Sequence, residues 1–234
     1  MITNKKMFTL GIVLTVGFFV VLWIMFQPYF GGENAFHAAD RLFNTISKGS
    51  SYYIPGLQEK AKALEATTVD VKLSVSPEKV RDNVAKLLMT NGIMVAKEGE
   101  QLRVQGSLGA ILSAAIKDSD SMYHNRGEDL SGRYGIPEKE ALFAWWNALK
   151  AMDKALKEQK KFKESKEVHE VIARGVEVGY NYYGIAPEKA TARAGILTFS
   201  LVFYVIYTMW WGFAILYLCE GLGLEMKKGV KKEV

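Results

Sequence analysis

The side chains best suited to chemistry stand together in one polar stretch, Asp118-Ser119-Asp120-Ser121-Met122-Tyr123-His124-Asn125. On a helix Asp120 and His124 lie four residues apart and share a face. That spacing suits a carboxylate–imidazole hydrogen bond or two ligands of one metal ion, and Asp118 is the third candidate metal ligand beside them. The Asp-x-Asp opening matches the start of an EF-hand loop. Tyr123, however, occupies the sixth position, where that loop turns on glycine, and Met122 replaces the fifth, oxygen-bearing ligand. The EF-hand is excluded, and a zinc or copper site would need three or four ligands. The other histidines, His37 and His169, are distant in sequence. Beside the metal reading, Asp120 and His124 read as a plain surface or capping pair.

Recognisable catalytic patterns are missing. The sequence has no G-x-S-x-G elbow, Walker loop or dinucleotide fingerprint, and its one cysteine allows no haem-attachment motif. Gly106-Ser107-Leu108-Gly109 is a glycine pair at a helix start. Trp145 and Trp146 fall at core spacing with Leu142, Leu149, Met152 and Leu156. The chain is read as not an enzyme, with no cofactor.

A second set of residues is suited to binding. Phe199, Phe203, Tyr204, Tyr207, Trp210, Trp211, Phe213 and Tyr217 crowd one apolar run, and Tyr204, Tyr207 and Trp211 share a face. Hydroxyl and indole N–H groups deep in hydrocarbon need partners. The first apolar run or another subunit is expected to supply them, and these three residues are the candidate partner-binding set.

The elements that position these groups follow from the charge pattern. Residues 7–26 carry no charge over 20 positions, and residues 194–219 none over 26. About 20 apolar residues cross a bilayer core as a helix. The first run is longer than a signal-peptide core and meets the bulky Gln27-Pro28-Tyr29-Phe30 instead of a small-residue cleavage site, so it reads as an uncleaved anchor. Lys5 and Lys6 flank the first run, and Lys227, Lys228, Lys231 and Lys232 follow the second. The positive-inside rule then puts both termini in the cytoplasm and the 163 residues 31–193 outside it. Neither run holds an ionisable residue, which argues against a proton or ion pathway.

Setting those six lysines apart from the 30 basic residues, and Glu220, Glu225 and Glu233 from the 25 acidic ones, leaves 24 and 22, a net +2 for the central region. That field is too weak for nucleic acid. The tail lysines suit anionic lipid headgroups instead. One cysteine, Cys219, forms no intrachain bridge.

Within the central region, residues 33–47 and the stretch after Pro55 show helical spacing. Val69, Val71, Leu73 and Val75 alternate as a strand. Ser76 reads as the cap and Pro77 as the first residue of a helix that stops at Asn91-Gly92. Two short strands, 93–96 and 101–105, and a helix from Ser107 complete a β-α-β-β-α module. Residues 118–135 read as a loop or frayed end. A strong helix opens at Pro137, and the lysine-rich 157–166 is either a helical bridge or the turn of a hairpin. Tyr180, Tyr182 and Tyr183, with Tyr29 and Phe30, fit a collar at the membrane surface.

The expected fold is therefore two transmembrane helices flanking an α+β, mainly helical extracytoplasmic domain. Its parts are a cytoplasmic tail (1–6), a first span (7–27), a helical segment (28–66), an α+β module (67–125), a long helix or helical hairpin (126–190), a second span (194–219) and a basic tail (220–234). The leading expectation is a non-enzymatic accessory or scaffold protein of the bacterial plasma membrane. It would assemble with membrane lipid and with other membrane or envelope proteins, or with copies of itself. The alternative is a tethered ligand- or metal-binding module of sensor type.

Overall fold

The uncharged run after Lys5-Lys6 forms a single helix in the computed structural model, which describes residues 2–224. The elements are α1 (Lys5–Phe26), α2 (Ala35–Ser50), α3 (Ile54–Ala63), β1 (Thr68–Ser74), α4 (Glu78–Thr90), β2 (Met94–Glu98), β3 (Gln101–Ser107), α5 (Leu108–Tyr123), α6 (Glu128–Tyr134), α7 (Glu138–Glu158), α8 (Phe162–Val171), α9 (Glu177–Asn181) and α10 (Ala194–Gly221). A π-helical turn, Ile172–Val176, joins α8 to α9, and a 3-10 turn, Ala190–Arg193, leads into α10. The chain is mostly helical, at 70%, with one three-stranded sheet. The tail lysines from Lys227 onward lie outside the described residues.

Contacts divide the chain into two units, one made of the residues up to Ile46 together with those from Glu188 onward, the other of Ser47–Pro187. In the first unit, α1 and α10 are both long and apolar enough to cross a membrane. They pack antiparallel, since Phe8 meets Gly221 at one end and Phe18 meets Tyr207 further along. Covered positions include Met7, Gly11, Leu14, Phe18, Val21 and Met25 on α1 and Phe203, Tyr207, Trp210, Ala214, Tyr217 and Gly221 on α10. Both series step by four and three residues, the seam of two helices packed side by side. Glycine makes the closest points of approach. A Cβ on Gly11 would stand 2.7 Å from the Leu218 nitrogen, and one on Gly221 2.6 Å from Phe8 Cα. Small residues let helix backbones meet in this way.

In the second unit, the alternation of β1 puts Val69, Val71 and Leu73 into the core. β3 is the central strand, antiparallel to both neighbours in the order β1-β3-β2, with Val71 opposite Val104 and Leu73 opposite Leu102. α4, α5 and α7 supply Leu87, Leu88, Ile111, Ile116, Trp145 and Leu149 to the same core. On the exposed face, Asp70 accepts from Arg103 at 2.9 and 2.7 Å and from Gln105 at 2.8 Å. These bonds, Arg103's first, hold its carboxyl well below the usual range.

Several local expectations change. Pro77 takes the cap position itself with extended backbone (ψ 177°), and α4 starts at Glu78. The region read as a loop or frayed helix end, 118–135, is helical over α5 to Tyr123 and again over α6. Its polar residues find partners inside the fold: Ser119 Oγ, for instance, donates to the Ala115 carbonyl at 2.7 Å. The lysine-rich stretch is the turn of a hairpin between α7 and α8, with Lys160 at φ 61°. Asp153 of α7 pins the turn, accepting from Ser165 Oγ of α8 at 2.5 Å and from Lys157 Nζ at 2.7 Å.

Candidate functional site

The last turns of α5 carry the polar stretch and send its two aspartates in opposite directions. Asp118 points inward and is fully buried. Its carboxylate is paired with the Arg133 guanidinium and accepts from Tyr134 Oη at 2.5 Å and Trp145 Nε1 at 2.7 Å. Asn91 Nδ2 donates to the same Tyr134 hydroxyl at 2.8 Å. Burial first, then the Asp118 carboxylate, raises the Tyr134 hydroxyl above its ordinary value, so the phenol remains a donor. Buried charge persists only when paired and hydrogen-bonded. Asp118 meets that condition with partners from α6 and α7, and it ties those helices to α5.

Asp120 faces the other way and meets Tyr52, His124 and Arg126. Tyr52 Oη donates to its Oδ1 at 2.9 Å, His124 Nδ1 lies 3.2 Å from the same oxygen, and Arg126 stands 3.8 Å from Oδ2. His124 Nδ1 is also 3.0 Å from the Asp120 carbonyl. The Tyr52 and Tyr123 rings lie 4.9 Å apart, and the imidazole stands edge-on to both at 5.4 Å. Burial and then the hydrogen bond to Asp120 push the Tyr52 hydroxyl up to about 12. The cluster is a half-exposed Tyr–Asp–His arrangement able to hold a hydrogen-bonding group.

As a metal site it keeps Asp120 and His124 but not Asp118. Among the described residues no group of three or more His, Cys, Asp and Glu side chains converges. His37 and His169 are not part of the cluster. The pair alone therefore offers two of the four ligands a zinc site usually has.

Beside this cluster lies a group that spacing did not disclose. Lys48 is fully buried, and its Nζ donates to Asn125 Oδ1 at 3.1 Å, the Tyr182 carbonyl at 3.0 Å and the Ile185 carbonyl at 2.6 Å. The Tyr123 ring lies 5.0 Å away, and its hydroxyl donates to the Lys48 carbonyl. An ammonium has three donors, and all three are used. Burial lowers the Lys48 pKa from its ordinary value. The one sequence-level hint is Asn125, which follows a helix end and takes the left-handed conformation (φ 59°) that asparagine tolerates better than most residues.

The aromatic set of α10 divides as well. Tyr207 Oη donates to the Phe18 carbonyl at 3.1 Å and its ring stacks on Phe18 at 4.2 Å; Trp211 packs on Phe18 at 4.6 Å. Trp210 Nε1 donates to the Leu14 carbonyl at 3.0 Å. Tyr204 instead faces outward, 66% exposed, and its hydroxyl has no partner among the described residues. The tyrosines before α10 are used within the second unit. Tyr183 packs against its core, while Tyr180 lines a groove of about 270 Å³ with Phe143, Trp146, Glu177 and Asn181. Trp146 Nε1 donates to Glu177 there at 2.9 Å.

The fold and these sites define a mostly helical protein with a small antiparallel sheet and two paired apolar helices. Comparison with protein-family models, with curated proteins and with solved structures finds no match.

Proposed function

We propose that the chain is a non-enzymatic, two-pass accessory or scaffold protein of a bacterial plasma membrane. Both termini lie in the cytoplasm, and the Ser47–Pro187 unit lies outside. The protein assembles laterally with another membrane or envelope protein, or with a second copy of itself. The observation that carries this reading is the Tyr204 hydroxyl. Tyr204 is the eleventh of the 28 residues of α10, about 5 Å along the axis from the helix midpoint at 1.5 Å per residue. A phenol at that depth needs an acceptor. Tyr207 and Trp210 take theirs from α1, whereas Tyr204 turns away from α1. A neighbouring helix can supply the missing acceptor.

The test is native mass spectrometry of protein extracted from its own membranes in mild detergent. The wild-type chain should carry defined extra subunits, and Tyr204→Phe and Tyr204→Ala should release them. Tyr207 and Trp211 are poor probes of a partner, because replacing them also unseats α1. A wild-type chain that always runs alone would overturn the reading.

The second reading, a tethered ligand- or metal-binding module, draws its support from the Tyr52–Asp120–His124 cluster. Retention of a small molecule or metal by the wild-type chain, lost in Asp120→Ala and His124→Ala, would favour it.

A further inference from the structure

α2 is amphipathic, and its two exposed phenylalanines stand on one side. Phe36 and Phe43 are 43% and 44% exposed and seven residues apart, two helical turns along one side. Arg41 lies near the opposite side, and His37 and Asn44 about a quarter to a third of a turn round from the phenylalanines. The exposed aromatic residues continue back to the end of α1. Phe26 packs on Phe36 with ring centroids 5.0 Å apart, and Phe26, Tyr29 and Phe30 are themselves exposed. Phe26 and Phe36 thus join the exposed end of α1 to the start of α2, and Phe43 follows two turns on, with the exposed Asp40 between the two α2 phenylalanines. The polar contacts fix α2 at that end of the helix pair. Glu33 pairs with Arg41 at 2.7 Å, and Glu188, six residues before α10, donates its N–H to the Thr45 carbonyl at 3.0 Å. Glu188 in turn holds Arg193 in a two-pronged contact at 2.5 and 2.9 Å. The end of α1 and the segment leading into α10 are therefore both tied to α2.

From this geometry we infer that α2 is a lipid-binding element lying in the plane of the membrane interface, with Phe36 and Phe43 inserted at the boundary of headgroups and acyl chains. The inference rests on the membrane-spanning reading of α1 and α10. The occupant is lipid rather than protein because Phe36 packs on Phe26 and so adjoins the exposed apolar surface of α1, which lipid would cover in the same way. Residues 35–46 contain one acidic group, Asp40, and one basic, Arg41. Insertion of the aromatic residues, not attraction to anionic headgroups, therefore holds the helix down. Helices of this type bury their apolar side about 5–10 Å into the interface.

The experiment uses the full chain in nanodiscs of phosphatidylethanolamine and phosphatidylglycerol. Single cysteines are placed on a Cys219→Ala background at Phe36, Phe43, His37 and Ile206, each carrying a nitroxide label. Accessibility to oxygen and to a neutral nickel chelate gives the depth of each label. Ile206, 58% exposed on α10, reports the span itself. Labels at Phe36 and Phe43 should show lipid-like accessibility at shallower depth than Ile206, and the label at His37 should be aqueous. Raising the salt or omitting phosphatidylglycerol should leave the depths unchanged. A lipid-like Ile206 with aqueous labels at Phe36 and Phe43 would overturn the inference and leave the spanning reading intact. Labels at Phe36 and Phe43 shielded from both reagents would overturn it in favour of a protein contact. An aqueous Ile206 would overturn the spanning reading and this inference with it.

Discussion

Lys48 Nζ donates to Asn125 Oδ1 at 3.1 Å across 77 positions of sequence, and Asn125 passes the connection on. The Asn125 oxygen also accepts the Gly184 N–H at 2.8 Å, and its amide donates to the Ile185 carbonyl at 3.0 Å. One lysine and one asparagine thereby clasp the beginning, the middle and the end of the Ser47–Pro187 unit.

Lys48→Ala should destabilise that unit by about 3 kcal/mol, since it removes three hydrogen bonds from an ammonium, each contributing about 1.5–3 kcal/mol, while two of the part-buried acceptors keep a second donor. Asn125→Ala should cost a comparable amount. Because the two bond each other and share the Ile185 carbonyl, the double variant should lose less than the sum, with a coupling of about 1 kcal/mol or more. Thermal unfolding of the full chain in detergent, followed by circular dichroism, measures all three. Strictly additive losses would show that the two residues do not act as one clasp.

Asp118 and Asp120 should respond very differently to the same substitution. Asp118→Ala leaves the Arg133 charge and the Tyr134 and Trp145 donors without their acceptor. Breaking a buried pair of this kind costs about 3–5 kcal/mol. Asp120→Ala removes a partly exposed pairing and should cost about 1 kcal/mol or less. Urea unfolding separates these outcomes, and equal losses would contradict the inward and outward placement.

The α7–α8 hairpin should be acid-sensitive through Asp153. Burial opposes ionisation of this carboxyl, but the hydrogen bonds from Lys157 and Ser165 outweigh it and lower the pKa. A carboxyl depressed on folding contributes stability above its unfolded value near about 3.9, and loses it as pH falls through the lower folded value. Asp153→Asn should therefore lower stability at pH 7 and flatten the fall of stability between about pH 4 and the folded value. Unfolding free energies measured across that range would show a parallel, unflattened profile if Asp153 plays no part.

Thr15 lies on α1 with its Oγ1 buried and without a hydrogen-bond partner among the described residues. Thr15→Val keeps the shape and removes the unsatisfied hydroxyl, a group that costs about 1–3 kcal/mol when orphaned. The α1–α10 pair should become more resistant to dissociation by about 1 kcal/mol, read by titration with a denaturing detergent. A destabilised variant would mean that the hydroxyl serves a contact.

Much of the architecture was legible because local patterns encode it. The uncharged runs mark α1 and α10, the alternation of Val69, Val71 and Leu73 marks β1, and Ser107 caps α5, accepting from the Ala110 N–H at 3.2 Å. The spacing of Trp145 and Leu149 marks the buried face of α7. Even the parting of Asp118 from Asp120 could have been read. Two residues apart on a helix do not face each other, so once α5 is known to run to Tyr123 the pair cannot share a ligand. The polarity of residues 118–125 hid that continuation, since serine and aspartate favour helix ends and turns when no tertiary partner is present.

The sequence by itself determined the periodicities, and with them the helices, the strand faces and the two long apolar helices. It did so because each depends on residues only a few positions apart. Only the tertiary structure decided that Asp118 is a core pin, that Lys48 is caged by Asn125, Tyr182 and Ile185, and that Tyr207 and Trp211 face α1 while Tyr204 faces away. Those outcomes depend on which surface meets a given face, and the partners are supplied by chain segments far away in sequence.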